Sequence, residues 1–249
     1  MKMNLFNKKN TIWILILILI FSFWTGIAYI VQNPFICPYP LEVLQCMLEQ
    51  SQSETFYLQI MQTLMRVILS FGLSFIVGIS FAMFTFKKKR WIPYIEKIML
   101  ILRSIPNITF IILFLFWMHR ETTITAVAFL LLFPIVYQNS LAALQEIYET
   151  YHDVLSIYPQ TKWDTIRKIY IPLMKPSLFA SSITTLSLSF KVTVMAEILA
   201  QVPYGIGRSM QWEKLNVNLA GVMAWTIWLL IFVFISHAIM KRIGEKMCH

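Results

Sequence analysis

Residues 145–172, QEIYETYHDVLSIYPQTKWDTIRKIYIP, form a polar and aromatic segment between two long apolar runs, 122–144 and 174–200. A loop between two membrane-crossing helices needs only a few residues. This segment is long enough for two short helices and a turn. The sequence therefore predicts that the segment contacts a partner, and the nature of that partner bears directly on function.

The rest of the chain is dominated by apolar runs of membrane-spanning length. Of its 249 residues, 58% are hydrophobic and 13% are charged, whereas about a quarter of the residues in a soluble domain are charged. About 20 residues at a rise of ~1.5 Å cross the ~30 Å hydrocarbon core of a bilayer. We therefore predict an all-α polytopic membrane protein with six transmembrane helices, at 11–31, 60–86, 94–118, 122–144, 174–200 and 218–240.

The net charge of +9 is explained by membrane topology. If the N-terminus is cytosolic, most Lys and Arg residues fall on the cytosolic side, while the first outer loop, 32–58, has three Glu and no Lys or Arg. This is the positive-inside bias, so we predict cytosolic termini and no nucleic-acid partner. Residues 1–31 could instead be a signal peptide, but their span length and flanking Trp13, Trp24 and Tyr29 favour a retained helix.

Local signals divide the segment 145–172 into two helices. Thr161 to Asp164 fits a capping box, which predicts a helix from Lys162 to about Tyr170 that stops before Pro172. Upstream, 146–157 has helix-forming composition and should end at Tyr158-Pro159. The segment is thus predicted to be a helical hairpin on the cytosolic face, with contact to the membrane interface as the alternative to a protein partner.

The sequence lacks the motifs of an enzyme. Its four histidines are scattered, no metal-ligand spacing is present, and no phosphate-binding loop of the GxxxxGK[ST] type occurs. We therefore expect no metal site and no cofactor in this chain, and any ATP with its Mg²⁺ should bind a partner subunit. Cys37 and Cys46 share the outer loop and could pair.

Charged and polar residues inside the predicted spans are the candidates for a translocation pathway, because ionisable groups there usually face the bundle interior. Lys191 and Glu197 lie in the fifth span, poorly placed to pair with each other along one helix. Ser177, Ser181 and Thr184 form a polar stripe that leads toward Lys191. That stripe fits either helix packing or a route for an anionic solute.

Two arginines and two prolines complete the list of unusual span residues. Arg66 lies near the outer end of the second span and is predicted to snorkel to the interface. For Arg103, snorkelling and a helix–helix contact are both open. Pro106 and Pro134 remove backbone hydrogen bonds inside spans and predict structural kinks.

Several of these stretches, taken in order, resemble the inner-membrane permease subunits of type I ABC importers, most closely the branch for nitrate, sulfonates, taurine and thiamine precursors. In chain order, the family has a Leu-Arg-Ala-Ile-Pro and then a Glu-Ala-Ala, followed by a glycine four residues later and a Leu-Pro. An Ala-Glu-Leu and a Gly-Leu-Gly come after these. Similar residues here span 56–246: Leu102–Pro106, Asp153, Val154, Leu155, Pro159, Trp163, Ile171-Pro172, Ala196–Leu199 and Gly205–Gly207.

The resemblance implies the type I permease fold and a function. Segment 145–172 would form the coupling helices that dock on a dimer of ATP-binding subunits, through Asp153, Val154, Leu155, Pro159, Trp163 and Pro172. Lys191, Glu197 and Thr184 would line the pathway. A second copy of the chain would complete the channel in the bacterial cytoplasmic (inner) membrane, in contact with its lipid, and an external binding protein would dock over 32–58 and 201–217.

The resemblance also implies a division of the chain into a tail, first helix and outer loop (1–55) and a five-helix permease core (56–249). Pro159 replaces the family's glycine, and because proline is locked near φ −65° the turn there needs another shape. Two alternatives to a permease stay open from the residues themselves. One is a non-transporting membrane scaffold for a soluble ATPase, and the other is a membrane-embedded enzyme that uses Lys191 and Glu197 as acid and base.

Overall fold

A computed structural model describes residues 3–157 and 162–247 of the chain. Every regular element in those ranges is helical, which confirms the predicted all-α class. A 3₁₀ turn at Lys89–Trp91 precedes α4, and a π-helical turn at Ile166–Tyr170 precedes α8. The helices are α1 (Met3–Val31), α2 (Pro40–Gln52), α3 (Phe56–Lys87), α4 (Ile92–Ser104), α5 (Asn107–Trp117), α6 (Arg120–Ile157), α7 (Lys162–Thr165), α8 (Ile171–Ala200), α9 (Ile206–Leu215) and α10 (Leu219–Met247).

Four stretches in the described residues are long and apolar enough to cross a membrane: Phe56–Lys87, Arg120–Asp153, Ile166–Ala200 and Leu219–Gly244. The helices α4 and α5 meet at an angle of 90°, and they add a fifth span if the bent pair is counted as one. Within α1, the apolar stretch Ile18–Val31 is shorter than these four. The predicted count of six spans is therefore not confirmed.

The two predicted kink prolines occupy different positions. Pro106 lies at the break between α4 and α5 and caps α5, with the preceding Ile105 in an extended conformation (ψ 129°). Proline disfavours the α region in the residue before it, so the helix is interrupted there. Pro134 lies inside α6, which runs from Arg120 to Ile157. A further proline, Pro176, lies inside α8.

The predicted hairpin at 145–172 is confirmed at its inner boundaries, because one helix ends at Ile157 and the next begins at Lys162. It is wrong at its outer boundaries. Its first arm is not a separate helix, because α6 continues without a break to Ile157. Its second arm does not stop before Pro172, because the π turn leads directly into α8. In a regular α-helix the ring of Pro172 would clash with the carbonyl four residues earlier, and the wider π turn accommodates it. The capping residue Thr161 lies outside the described residues.

The chain divides into two compact units. The first comprises Met1–Tyr57 and Ser209–Leu229. Within it the ring of Phe56 packs against Trp225 and Trp228, with ring centroids 5.7 and 5.0 Å apart, and the indole N–H of Trp24 donates to the carbonyl of Pro38 at 3.1 Å. The predicted division at residue 55 follows the family resemblance and stays a prediction.

The second unit comprises Leu58–Arg208 and Leu230–His249. Within the described residues, its helices α6 and α8 contact each other extensively. Two apolar clusters fill it, one around Tyr137 and Met174 and the other around Val127 and Ala196. Helix α3 approaches α6 closely at Gly78, where a Cβ atom would lie 2.8 Å from a side-chain atom of α6. Glycine at this position therefore allows α3 to join the α6–α8 pair.

Candidate functional site

The predicted ATPase-docking residues lie where α6 ends and α8 begins. Asp153 is exposed, with its Oδ1 3.3 Å from Nδ1 of His152. Pro172 is also exposed. The structure places the predicted residues as follows, with Pro159 outside the described residues: Asp153, Val154 and Leu155 in the last turns of α6, Trp163 in α7 and Pro172 in the first turn of α8. Their docking role stays a prediction.

Aromatic and cationic contacts join the base of this segment to α3. The ring of Tyr148 lies under the Lys89 ammonium, with Nζ 3.5 Å from the ring centroid, and its centroid is 4.8 Å from that of His152. Phe86, near the end of α3, contacts both Tyr148 and Tyr170, at 5.9 and 5.4 Å. The ends of α3 and α6 and the π turn are thus held together by packed rings.

The predicted polar stripe of α8 faces both a neighbouring helix and a groove. The side-chain amide of Asn139 in α6 donates to the Ser181 hydroxyl at 2.8 Å. Thr184, together with Ser177 and Ser181, lines a groove of about 370 Å³ between α6 and α8. Lys191 is exposed and lies about two helical turns beyond Thr184. The stripe therefore serves helix packing in part, and the pathway assignment of Thr184 and Lys191 stays a prediction.

Near the C-terminal end of α8, Arg66 of α3 lies between two carboxylates. Its Nη1 donates to Glu197 Oε1 at 2.6 Å and to the Tyr204 carbonyl at 2.9 Å. Its Nη2 and Nε donate to Glu121 at 2.7 to 2.9 Å. The side chains of Arg66 and Glu197 are 5% and 0% exposed, whereas that of Glu121 is 51% exposed. All three guanidinium nitrogens are thus engaged with protein acceptors.

Glu197 receives further hydrogen bonds from a backbone amide and a hydroxyl. The Gly207 amide donates to Oε2 at 2.9 Å. The Thr63 hydroxyl donates at 2.9 and 3.0 Å, and the same oxygen accepts from the Ile206 amide at 2.8 Å. The Thr63 hydroxyl thus connects Glu197 to the backbone amide of Ile206. A side chain that accepts from a guanidinium, a hydroxyl and an amide is arranged as a carboxylate.

A glycine closes the loop over this ion pair. Gly205 has φ +143°, a conformation that side chains rarely adopt, and its amide donates to the side-chain oxygen of Gln59. A Cβ atom at this position would lie 2.6 Å from Cδ of Glu197 and 2.8 Å from Nη1 of Arg66. The loop can approach the buried charges this closely because Gly205 has no side chain.

The network corrects or completes several predictions. Arg66 does not snorkel, because its guanidinium is enclosed by protein groups. Arg103 donates to the side chain of Gln138, which makes it a contact between α4 and α6. Glu197 has its own set of partners, as its position relative to Lys191 predicted. It has no exposed side-chain surface in this structure, and its assignment to the pathway stays a prediction.

The sequence reasoning missed Glu121 and the polar face of α3. Gln59, Thr63, Arg66, Ser70 and Ser74 recur at intervals of three or four residues, the spacing of one helix face. Thr63, Arg66, Ser70 and Ser74 are all buried. That spacing was a usable signal that Arg66 faces the bundle interior. Glu121, in the first turn of α6, offered no comparable pattern.

A cavity of about 970 Å³ opens beside this network, between α3, the end of α5 and the start of α6, and we call it the Glu121 cavity. Arg66 and Glu121 both line it. Most of its wall is apolar, and several side chains are polar. Its lining residues include Met61, Met65, Trp117 and Phe129 among the apolar side chains, and Gln62 and Thr122 among the polar ones. An apolar cavity with a few polar groups is the usual form of a small-molecule site.

The last two features to consider are the cysteine pair and a possible metal site. Cys37 and Cys46 are both free thiols. The pKa of Cys46 is raised, first by burial and then by the carboxylates of Glu49, Glu213 and Glu42. In the part of the chain that the structure describes, no group of three or more His, Cys, Asp and Glu side chains is placed to hold a metal ion.

Long apolar helices, with a buried ion pair near one end of the bundle and an exposed charged segment near the other, define a helical membrane protein. The chain belongs to the family of binding-protein-dependent transport system inner membrane components, whose model matches residues 74–248. It has the fold of a type I ABC importer permease and is a permease component of such an importer in the membrane. In this family an ATPase is a separate partner subunit.

Individual relatives support the same assignment. The formylaminopyrimidine transport permease protein ThiX of Halalkalibacterium halodurans is 22% identical over 202 residues, which cover 81% of this chain and 78% of ThiX. The trimethylamine N-oxide transport system permease protein TmoV of Pelagibacter ubique is 23% identical over 64% of this chain, but the match spans only 22% of TmoV. An inward-facing structure of the MetNI methionine ABC transporter has a chain that matches with a TM-score of 0.69 at 17% identity, covering 80% of this chain and 100% of that one.

Proposed function

We propose that this chain moves a small solute across the bacterial cytoplasmic membrane, with the solute delivered by an external binding protein. The observation that carries the proposal is the family match over residues 74–248. Two copies of the chain would form the channel. A dimer of separate ATP-binding subunits would hold ATP and Mg²⁺ and drive the transport, so this chain itself would need no cofactor.

The segment 145–172 is the proposed docking site for the ATP-binding subunit. Asp153, which carries a charge, and Pro172 are both exposed at the junction of α6 and α8. The rings of Tyr148, Phe86 and Tyr170 connect that junction to α3. Movement of the ATPase at this position would therefore act on three packed helices of the second unit. Under this proposal both termini lie on the cytosolic side, as the charge distribution predicts.

The test is to co-express the chain with its cognate ATP-binding subunit and reconstitute the purified complex in liposomes. We expect ATP-dependent uptake of the solute when the external binding protein is present. Asp153→Arg should reduce co-purification of the ATPase, because it reverses an exposed charge at the docking site. Glu96→Arg is the matched control, because Glu96 is an exposed carboxylate of α4 outside the segment.

Three outcomes separate the functions that the sequence left open. ATP-dependent uptake supports the permease. A stable complex with the ATPase that takes up no solute indicates a membrane scaffold. Chemical conversion of a solute without uptake indicates an enzyme. Co-purification that is equally strong for Asp153→Arg and Glu96→Arg would remove Asp153 from the docking site.

A further inference from the structure

We propose that the Glu121 cavity binds the positively charged group of an organic cation, with the Glu121 carboxylate as its counter-ion. The inference rests on the proposed transport function and adds the charge class of the solute. The sequence alone suggested an anion, because of Lys191. The contacts around the cavity point to the opposite charge.

The first step of the argument is the direction of the Arg66 donors. Arg66 lines the cavity, and an arginine in a cavity wall would ordinarily suit an anion. Here Nη1 is directed at Glu197 and the Tyr204 carbonyl, while Nη2 and Nε are directed at Glu121. An anionic ligand would have to displace one of these acceptors. The cavity therefore does not present a guanidinium that is ready to bind an anion.

The second step is the balance of charge. One guanidinium faces two carboxylates, which leaves one negative charge in excess within the network. Glu197 is completely buried, whereas half of the Glu121 side chain is exposed. The excess charge therefore lies on the member that faces the cavity. Among the described residues that line the cavity, Arg66 is the only Lys or Arg and His119 is the only histidine, and the adjacent Arg120 donates to the Gln201 carbonyl at 3.0 Å.

The third step is the chemistry of the remaining wall. Trp117 and Phe129 supply aromatic faces, which attract cations. The thioethers of Met61 and Met65 are soft and adapt to irregular shapes. Gln62 and Thr122 add neutral polar groups. A wall of this composition with one exposed carboxylate fits an organic cation such as a protonated amine on an apolar body.

The test measures binding to the intact permease–ATPase complex in lipid nanodiscs, with three probes that share a phenyl ring. Radiolabelled benzylamine is the cation, and benzyl alcohol and benzoate are the neutral and anionic competitors. Empty nanodiscs correct for partition into lipid. We expect saturable binding of benzylamine that benzyl alcohol displaces weakly and benzoate does not displace.

Variants then assign the binding to the carboxylate. Glu121→Gln keeps a side-chain oxygen for Arg66 but removes the charge, and we expect it to weaken benzylamine binding by about ten- to a hundredfold. Glu96→Gln, which removes an exposed carboxylate on α4, should leave the affinity unchanged. Thr125→Lys adds a positive charge to the cavity wall one helical turn from Glu121, where it can pair with that carboxylate, and it should also weaken binding. It provides the decisive comparison if Glu121→Gln does not fold.

Failure of this inference is distinguishable from failure of the proposed function. No saturable benzylamine binding, equal binding of benzoate, or unchanged affinity in both Glu121→Gln and Thr125→Lys would overturn the cation site. If the complex shows ATP-dependent solute uptake together with any of these results, the proposed function is supported and the cation site is rejected. If the complex binds benzylamine through Glu121 but transports nothing, the cation site is supported and the proposed transport function is rejected.

Discussion

The Arg66 network and the segment 145–172 are two charged regions of the same compact unit, and they treat charge in opposite ways. In the network, the charges of Arg66 and Glu197 are buried, and both are held in ion pairs, with Glu121 completing the network from a half-exposed position. In the segment, residues such as Asp153 and Lys168 are exposed. Buried charges have to be paired within the fold, because an unpaired one costs several kcal/mol. Exposed charges are hydrated and do not need such pairing, so the comparison separates the charges that hold this permease together from those at its surface.

The largest effect is expected when the buried cation is removed. Arg66→Met leaves Glu197 buried without its guanidinium, and we expect a loss of about 3–5 kcal/mol in the free energy of unfolding. Unfolding of the detergent-solubilised protein by titration with SDS would measure it. Arg90→Met, at an exposed position in the 3₁₀ turn, should change stability little. Comparable losses in the two variants would show that burial does not determine how much a charge contributes to the free energy of unfolding.

A smaller effect is expected from the loop that covers the network. Gly205→Ala forces a side chain into φ +143° and against Glu197, which should cost about 1–3 kcal/mol. The same SDS titration would detect it. Gly72→Ala is the control, because Gly72 lies in α3 with open space around its Cα, and alanine there should be neutral or mildly stabilising. Equal stability of both variants would mean that the loop does not need to approach the ion pair closely.

Lys191 provides an intermediate case, an exposed cation in the middle of a predicted span. Lys191→Ala should lower ATP-dependent uptake in proteoliposomes while the complex with the ATPase still assembles, because the residue is predicted to line the pathway rather than to support the fold. Lys97→Ala on α4 serves as the control for loss of an exposed lysine. Uptake by Lys191→Ala equal to that of the unchanged protein would remove Lys191 from the pathway.

The smallest effect is expected at the base of the segment. Tyr148→Leu keeps an apolar side chain but removes the aromatic face beneath Lys89, and exposed cation–π contacts contribute about 0.5–1 kcal/mol. Thermal unfolding of the complex, compared with that of Tyr94→Leu at an exposed position on α4, would measure it. A loss as large as that of Arg66→Met would contradict the distinction between the two regions.

The predictions from sequence succeeded where the cause is local and failed where helices meet. The break at Pro106 follows from the preference of one residue and its neighbour. In the segment 145–172, the proline and capping signals correctly predicted the helix end at Ile157 and the helix start at Lys162. The outer boundaries were wrong, because α6 begins well before residue 146 and the second arm continues into α8. Arg66 was assigned to the interface because its depth along a span was visible and its partners were not. Those partners are 55 and 131 residues away in the chain.

The sequence by itself determined that this protein is helical, that it lies in a membrane and that it resembles ABC importer permeases. Those conclusions depend on the length and polarity of each run and on the order of short motifs, which are properties of neighbouring residues. Only the tertiary structure decided that Arg66 joins Glu121 to Glu197, that Gly205 closes over them and that the surplus carboxylate faces a cavity. Ion pairs between helices depend on the distances at which separate helices pack, and no local pattern specifies those distances.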